Sequence, residues 1–260
     1  MDLGHIARYS AVLKDLVRIH NGIIPSTKES QHEKEAIRQT IDIVQEALYP
    51  WLTQPDEEGN QIFSSMLELL DSFTEDVGIV ISTGVRGGFR WAVHQIVTLR
   101  AVLNCTLNIE IFYGGENDLP KKYRTFIHDI ESAFPGSGSI RTIDITQVFP
   151  DPNGLLGFPG GWAMRPFAIL ASSFKKVILT DADTVWMQDP RKILEEETFA
   201  EYGSVFWHDR ELAAASDETY KWVDELLEAA KAKSENFQPN GWFEKKTFYE
   251  MERSPHPKKH

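Results

Sequence analysis

Lys176-Val177-Ile178-Leu179-Thr180-Asp181-Ala182-Asp183-Thr184-Val185 sets a short apolar run directly before two acids one residue apart. Residues 177–179, bounded by charge, read as a strand buried on both faces, as in a parallel sheet. Ligands of open α/β sheets bind just beyond the carboxyl ends of such strands. The sheet would therefore carry Asp181 and Asp183 to the place where chemistry is expected. Two carboxylates so close repel each other unless a cation neutralises them. A divalent ion bridging them to a phosphate is the simple resolution. An arbitrary Asp-x-Asp is more often a pair of solvated acids in a turn. Here the buried run before it, and Val185-Trp186-Met187 after it, favour a site.

Upstream, the same alternation repeats. Residues 77–82 form a strand candidate rich in Val and Ile. The loop Thr83-Gly84-Val85-Arg86-Gly87-Gly88 and a helix over 90–103 follow. Residues 107–113 read as a second strand, 119–134 as a helix and 140–145 as a third strand. After a Gly/Pro-rich loop over 150–161, Pro166 suits the first turn of a helix reaching 174. Downstream, 204–207 reads as a further strand, and Trp222, Val223, Leu226, Leu227 and Ala230 form the stripe of a late amphipathic helix. Strand and helix in alternation imply an α/β, Rossmann-type, mostly parallel sheet flanked by helices, with right-handed crossovers.

Before Val77 the pattern is helical. Ile37, Ile41, Val44 and Leu48 recur at helical spacing until Pro50. Leu3, Ile6, Leu13, Leu16 and Val17 suggest an earlier helix, and 61–73 a third. No catalytic constellation occurs there, so a helical packing layer is the plain reading. The expected organisation is an N-terminal helical segment over 1–75 and one α/β domain over 76–260.

Composition narrows the function. The 260 residues are 42% hydrophobic and 25% charged, as in ordinary globular proteins. A net charge of −12 argues against general nucleic-acid binding, which needs a basic face. Cys105 is the only cysteine, which excludes an internal disulfide and a cysteine-rich zinc site. No apolar run approaches the roughly 18 residues of a membrane span. The start, Met1-Asp2-Leu3-Gly4-His5, lacks the basic and apolar regions of a signal peptide. Asn104-Cys105-Thr106 fits a glycosylation acceptor, a triplet common by chance.

Three further features are weighed against plainer readings. The loop over 83–88 lets backbone approach a ligand at a helix N-terminus, which favours phosphate. It is neither the dinucleotide fingerprint nor a Walker loop, and a tight turn needing positive φ explains its glycines almost as well. Arg165, just before Pro166, could hold a diphosphate through paired hydrogen bonds; a surface arginine paired with an acid is the alternative. In Trp207-His208-Asp209, Asp209 could contact a sugar, and His208 is a bystander on balance. Trp162, Trp186 and Trp207 could stack on a sugar but are more often core. Neither a Gly-x-Ser-x-Gly elbow nor His-Glu-x-x-His occurs, and no catalytic nucleophile or base is assigned.

The stretches 77–82, 99–103 and 109–113, with Trp162-Ala163-Met164-Arg165-Pro166 through Asp183 and Val205-Phe206-Trp207-His208-Asp209, resemble the fungal α-1,3-mannosyltransferase type of glycosyltransferase. The resemblance covers about 77–210. It implies the GT-A fold, GDP-mannose as donor and Mn²⁺ (or Mg²⁺) as metal. It also implies mannose transfer to a glycan or glycoprotein hydroxyl with retention of configuration. Asp181 and Asp183 would be the metal and donor-ribose acids. Ser82, Thr83 and Gly84 would lie near the guanosine, with Arg86, Arg165 and Asp209 completing the donor site. Members are usually held in the Golgi by an N-terminal membrane helix, and this chain shows no such span, so the Golgi lumen is expected by resemblance alone. The family's Glu-Ser-Gly segment after Trp207 is absent, so a C-terminally incomplete, catalytically impaired donor-binding chain or partner subunit is one alternative. Residues 178–185 also resemble the first motif of haloacid-dehalogenase-type phosphatases, in which the first Asp is a nucleophile.

Overall fold

A computed structural model of the chain describes residues 3–55, 58–59, 61–85, 88–150 and 163–205. From Leu13 onward these belong to one compact unit, and 3–12 belong to another. Helix α1 spans Leu3–Gly22 and α2 spans Lys28–Leu48. Thr27 starts α2 through a reciprocal cap: its hydroxyl accepts from the Ser30 N–H at 3.1 Å, and the Ser30 hydroxyl accepts from the Thr27 N–H at 2.9 Å. A 3₁₀ turn at Pro50–Thr53 and the short helix α3, Met66–Asp71, lead into β1, Glu75–Ser82.

Then follow α4 (Phe89–Val97), β2 (Asn108–Tyr113), α5 (Lys121–Ala133), β3 (Ile140–Asp144), α6 (Ile145–Val148), α7 (Met164–Ala171) and β4 (Phe174–Asp181). A 3₁₀ segment, Pro190–Glu195, and α8, Glu197–Tyr202, follow β4. The four described strands form one sheet in the order β3-β2-β1-β4, and every pairing is parallel. The chain thus steps from β1 to β2 to β3 in one direction, then crosses back to place β4 on the other side of β1. The point where strand order reverses lies between β1 and β4.

Strand alternation divides the core in two. Ile79, Ile81, Ile109, Ile111 and Ile178 pack under Ala92, Ile96 and Ile127 of α4 and α5. Val80 and Phe112 face Leu52, Leu69, Phe149, Met164 and Ala168 on the other side. Trp51, Leu52, Phe63, Met66 and Leu69 therefore help to build the second core layer. Trp51 meets Phe149 and Phe167 edge-on, at centroid distances of 5.3 and 4.8 Å. The buried Gln45 ties α2 to this layer, accepting from the Met66 N–H at 2.5 Å.

The fold agrees in class with the sequence reading, and its boundaries differ where side chains intervene. The helix expected over 61–73 is confined to Met66–Asp71, because the Ser65 hydroxyl caps it by accepting from the Glu68 N–H. The helix expected over 90–103 is α-helical only to Val97 and then widens into a π-turn at Thr98–Val102. That turn sends Arg100 inward, where its guanidinium donates to the carbonyls of Cys105 (2.6 Å), Leu107 (2.8 Å) and Gly138 (3.5 Å). The helix expected to reach 174 stops at Ala171, and Phe174 opens β4 instead. Of the strand expected over 204–207, Ser204 and Val205 are irregular, and the rest lies outside the described residues, as does the late helix.

Phe174 also fixes one glycine. A Cβ on Gly78 would lie 2.2 Å from its ring, and that ring is buried against the second core layer. Gly78→Ala is expected to cost about 1–3 kcal/mol of stability through overpacking. Urea denaturation checks this, and a midpoint unchanged from wild type would contradict the packing described.

Candidate donor site at the carboxyl edge of the sheet

Parallel pairing sets Ser82 at the end of β1 opposite Asp181 at the end of β4. Both therefore stand at the point where strand order reverses, the place where open α/β sheets bind ligands. Alternation sends the last residues of β4 to opposite faces. Thr180 turns toward α4, where its buried hydroxyl accepts from the Gln95 amide at 2.9 Å. Asp181 turns toward α7, where its carboxylate meets the Arg165 guanidinium at 2.6 Å. Asp181 is 42% exposed and Arg165 28%, so the pair is accessible from solvent. After Asp181 the chain turns at once, with the Thr184 N–H donating to the Asp181 carbonyl at 3.0 Å. Ala182 is buried under this turn and Asp183 is exposed on it. Trp186 packs against the first core layer, while Val185 and Met187 point outward.

The loop after β1 leans on the same turn. Thr83 is 4% exposed, its hydroxyl has no hydrogen-bond partner among the described residues, and its N–H donates to the Phe112 carbonyl. A Cβ on Gly88 would lie 2.8 Å from the Thr83 hydroxyl and 2.9 Å from the Ala182 methyl. A Cβ on Gly84 would lie 1.9 Å from Asp118 Oδ1. Neither Gly84 nor Gly88 has a positive φ. Their lack of a side chain therefore serves close packing within the edge, not a left-handed turn.

Of the residues singled out in the sequence, the structure brings together Ser82, Thr83, Gly84, Arg165, Asp181 and Asp183 at one edge. Arg86 and Asp209 lie outside the described residues, as do Trp162, Trp207 and His208. Arg165 is paired with an acid, and that acid belongs to the Asp-x-Asp pair itself. Cys105 is fully buried, and burial pushes its thiol up, which suits a structural cysteine rather than a nucleophile.

Sequence reading missed three contributors: Gln95 beneath Thr180, Asp118 in the turn past β2, and Asp144 at the end of β3. Asp144 Oδ1 accepts from the Gly115 N–H at 3.0 Å and from Thr146. Asp144 had a usable signal, because it closes β3 as Asp181 closes β4; Asp118, in the turn past Tyr113, had none.

The donor set suits a hard divalent cation in kind. Asp181 and Asp183 offer carboxylate oxygens on an accessible turn. Among the described residues no group of three or more His, Cys, Asp or Glu is assembled for a metal, so ligand oxygens would complete such a site. Among those residues, too, no helix is long and apolar enough to cross a membrane.

Fold and edge together define an α/β protein whose parallel sheet presents an arginine-paired Asp-x-Asp turn at its switch point. The family described as "Mannosyltransferase putative" matches residues 76–258, and the chain belongs to that family. Three Candida albicans proteins are similar. "Putative alpha-1,3-mannosyltransferase MNN14" is 27% identical over 182 residues, 65% of this chain and 26% of that protein. "Alpha-1,2-mannosyltransferase MNN21" is 30% identical over 163 residues, 59% of this chain and 23% of that protein. "Putative alpha-1,3-mannosyltransferase MNN15" is 26% identical over 181 residues, 58% of this chain and 23% of that protein. The match thus spans about a quarter of the length of these relatives.

Proposed function

We propose that this chain is a metal-dependent glycosyltransferase that moves mannose from GDP-mannose to a glycan hydroxyl with retention of configuration. The observation that carries the reading is the Arg165–Asp181 pair at the β1/β4 switch point, inside the segment matched by the mannosyltransferase family. That membership favours sugar transfer over the phosphatase reading of the same two acids. The relatives' roles also suit a place in the glycosylation pathway, and the Golgi lumen is the proposed compartment.

The nucleotide would lie over Ser82, Thr83 and Gly84 at the end of β1, with its diphosphate toward the Asp181–Asp183 turn. A divalent ion held by Asp181 and Asp183 supplies neutralisation of diphosphate charge when bound. Arg165 keeps Asp181 in place, and its fixed positive charge would stand beside the diphosphate, where it favours phosphate. Fixed donors aimed at a departing diphosphate favour breaking the C1–oxygen bond, because negative charge grows there. The acceptor hydroxyl oxygen then bonds to C1, and its proton passes to a phosphate oxygen of the leaving group.

The test is incubation of the chain with GDP-mannose, Mn²⁺ and an α-mannoside acceptor. The expected product carries a new α-linked mannose by NMR, and EDTA stops its formation. GDP binding without transfer would leave the donor-binding alternative standing. Hydrolysis of p-nitrophenyl phosphate with no nucleotide binding would overturn both.

A further inference from the structure

We propose that Asp118 is a positioning residue of the donor site and that Gly84 is a glycine because it packs on Asp118. The inference rests on the donor-site reading above. Asp118 occupies the turn after β2, where its N–H donates to the Gly115 carbonyl at 3.0 Å. The next residue, Leu119, is fully buried and anchors that turn in the first core layer. From this fixed base Asp118 reaches in two directions. Its Oδ2 accepts from the Gly114 N–H at 2.9 Å, and its backbone carbonyl accepts from the Val85 N–H at 2.8 Å. Its other oxygen lies against Gly84 so closely that a methyl there would sit 1.9 Å away.

The brace continues on both sides. Asp144 holds the Gly115 N–H at 3.0 Å and so ties the end of β3 to the β2 turn, while the Asp118 backbone carbonyl and the packing of Oδ1 on Gly84 tie that turn to the loop after β1. The Gly88 N–H donates to the Gly84 carbonyl at 3.1 Å. Gly88 in turn lies against Thr83 and Ala182. A displaced Asp118 would therefore move the β1 loop, and the β1 loop touches the Asp181–Asp183 turn. Asp118 is turned to backbone on both sides, so its role is to set the loop and not to meet substrate.

Linked groups give non-additive effects, which makes the idea testable. GDP affinity in Mn²⁺ is measured by calorimetry, and melting temperature alongside it, for wild type, Asp118→Asn, Asp118→Ala, Gly84→Ala and the double Ala variant. Asp118→Ala and Gly84→Ala are each expected to weaken GDP by about tenfold, a typical coupling between neighbouring groups. The double variant should stay within about twofold of Asp118→Ala, since Gly84→Ala offends only when the carboxylate is there. Asp118→Asn keeps an acceptor for Gly114 and should bind within about threefold of wild type. If Asp118→Ala does not fold, Gly84→Ala carries the test with Asp118 intact. Wild-type affinity in the Ala variants, or losses that multiply in the double, overturns the inference alone. A wild-type chain that binds no nucleotide overturns the donor-site reading and the inference with it.

Discussion

Asp183→Ala should abolish Mn²⁺-dependent GDP binding and leave the fold intact. Asp183 is exposed on the turn that follows β4, so its loss should change stability by no more than about 0.5 kcal/mol. Its carboxylate is one of two on that turn, and the other is engaged by Arg165 at 2.6 Å. With Asp183 gone, the only acid left there is partly neutralised by a guanidinium. Metal affinity falls about 10–100-fold even for indirect ligand partners, and a direct ligand should cost at least about 100-fold. Titration of GDP with and without Mn²⁺ reads this as a collapse of the metal-induced gain. A variant that keeps the gain would remove Asp183 from the proposed metal set.

The second large effect concerns stability. Arg100→Leu should cost about 3–5 kcal/mol, because it strands carbonyls of Cys105, Leu107 and Gly138 inside the protein. Arg100 is 3% exposed, and burial pulls its pKa down from the usual arginine value. It gathers the turn before β2 and the approach to β3, so its loss should loosen two strand entrances together. A loss of that size would lower the melting temperature by roughly 10 °C in a domain of this size. A variant melting within about 2 °C of wild type would mean that water replaces the clamp at little cost. Asp183→Ala and Arg100→Leu thus separate the site from the scaffold: one should lose binding with the fold kept, the other the reverse in order of effect.

The acid pair was legible because its signal is local. An apolar run followed by two acids needs no knowledge of distant residues, and β4 does end at Asp181. Arg165 was legible for a similar reason, as a cation beside the proline-bearing start of a helix. The identity of its partner was not, since that depends on β4 lying next to β1 and α7 covering the same face. The loop glycines show the limit most clearly. Sequence offered ligand approach or positive φ, and the structure gives a third reason, the Asp118 carboxylate against Gly84. Nothing near Gly84 in the chain announces Asp118, which reaches it only through the pairing of β1 with β2. The π-turn was hidden in the same way, because residues 98–102 continue a helical pattern until Arg100 finds its carbonyls.

The proposed function puts a metal-assisted guanosine-nucleotide site at the β1/β4 switch point. Calorimetric titration of the wild-type chain with GDP and with UDP, each with Mn²⁺ and with EDTA, tests that most directly. GDP binding is expected to strengthen at least tenfold with Mn²⁺ and to exceed UDP binding. Equal binding with EDTA, or binding of neither nucleotide, would contradict it.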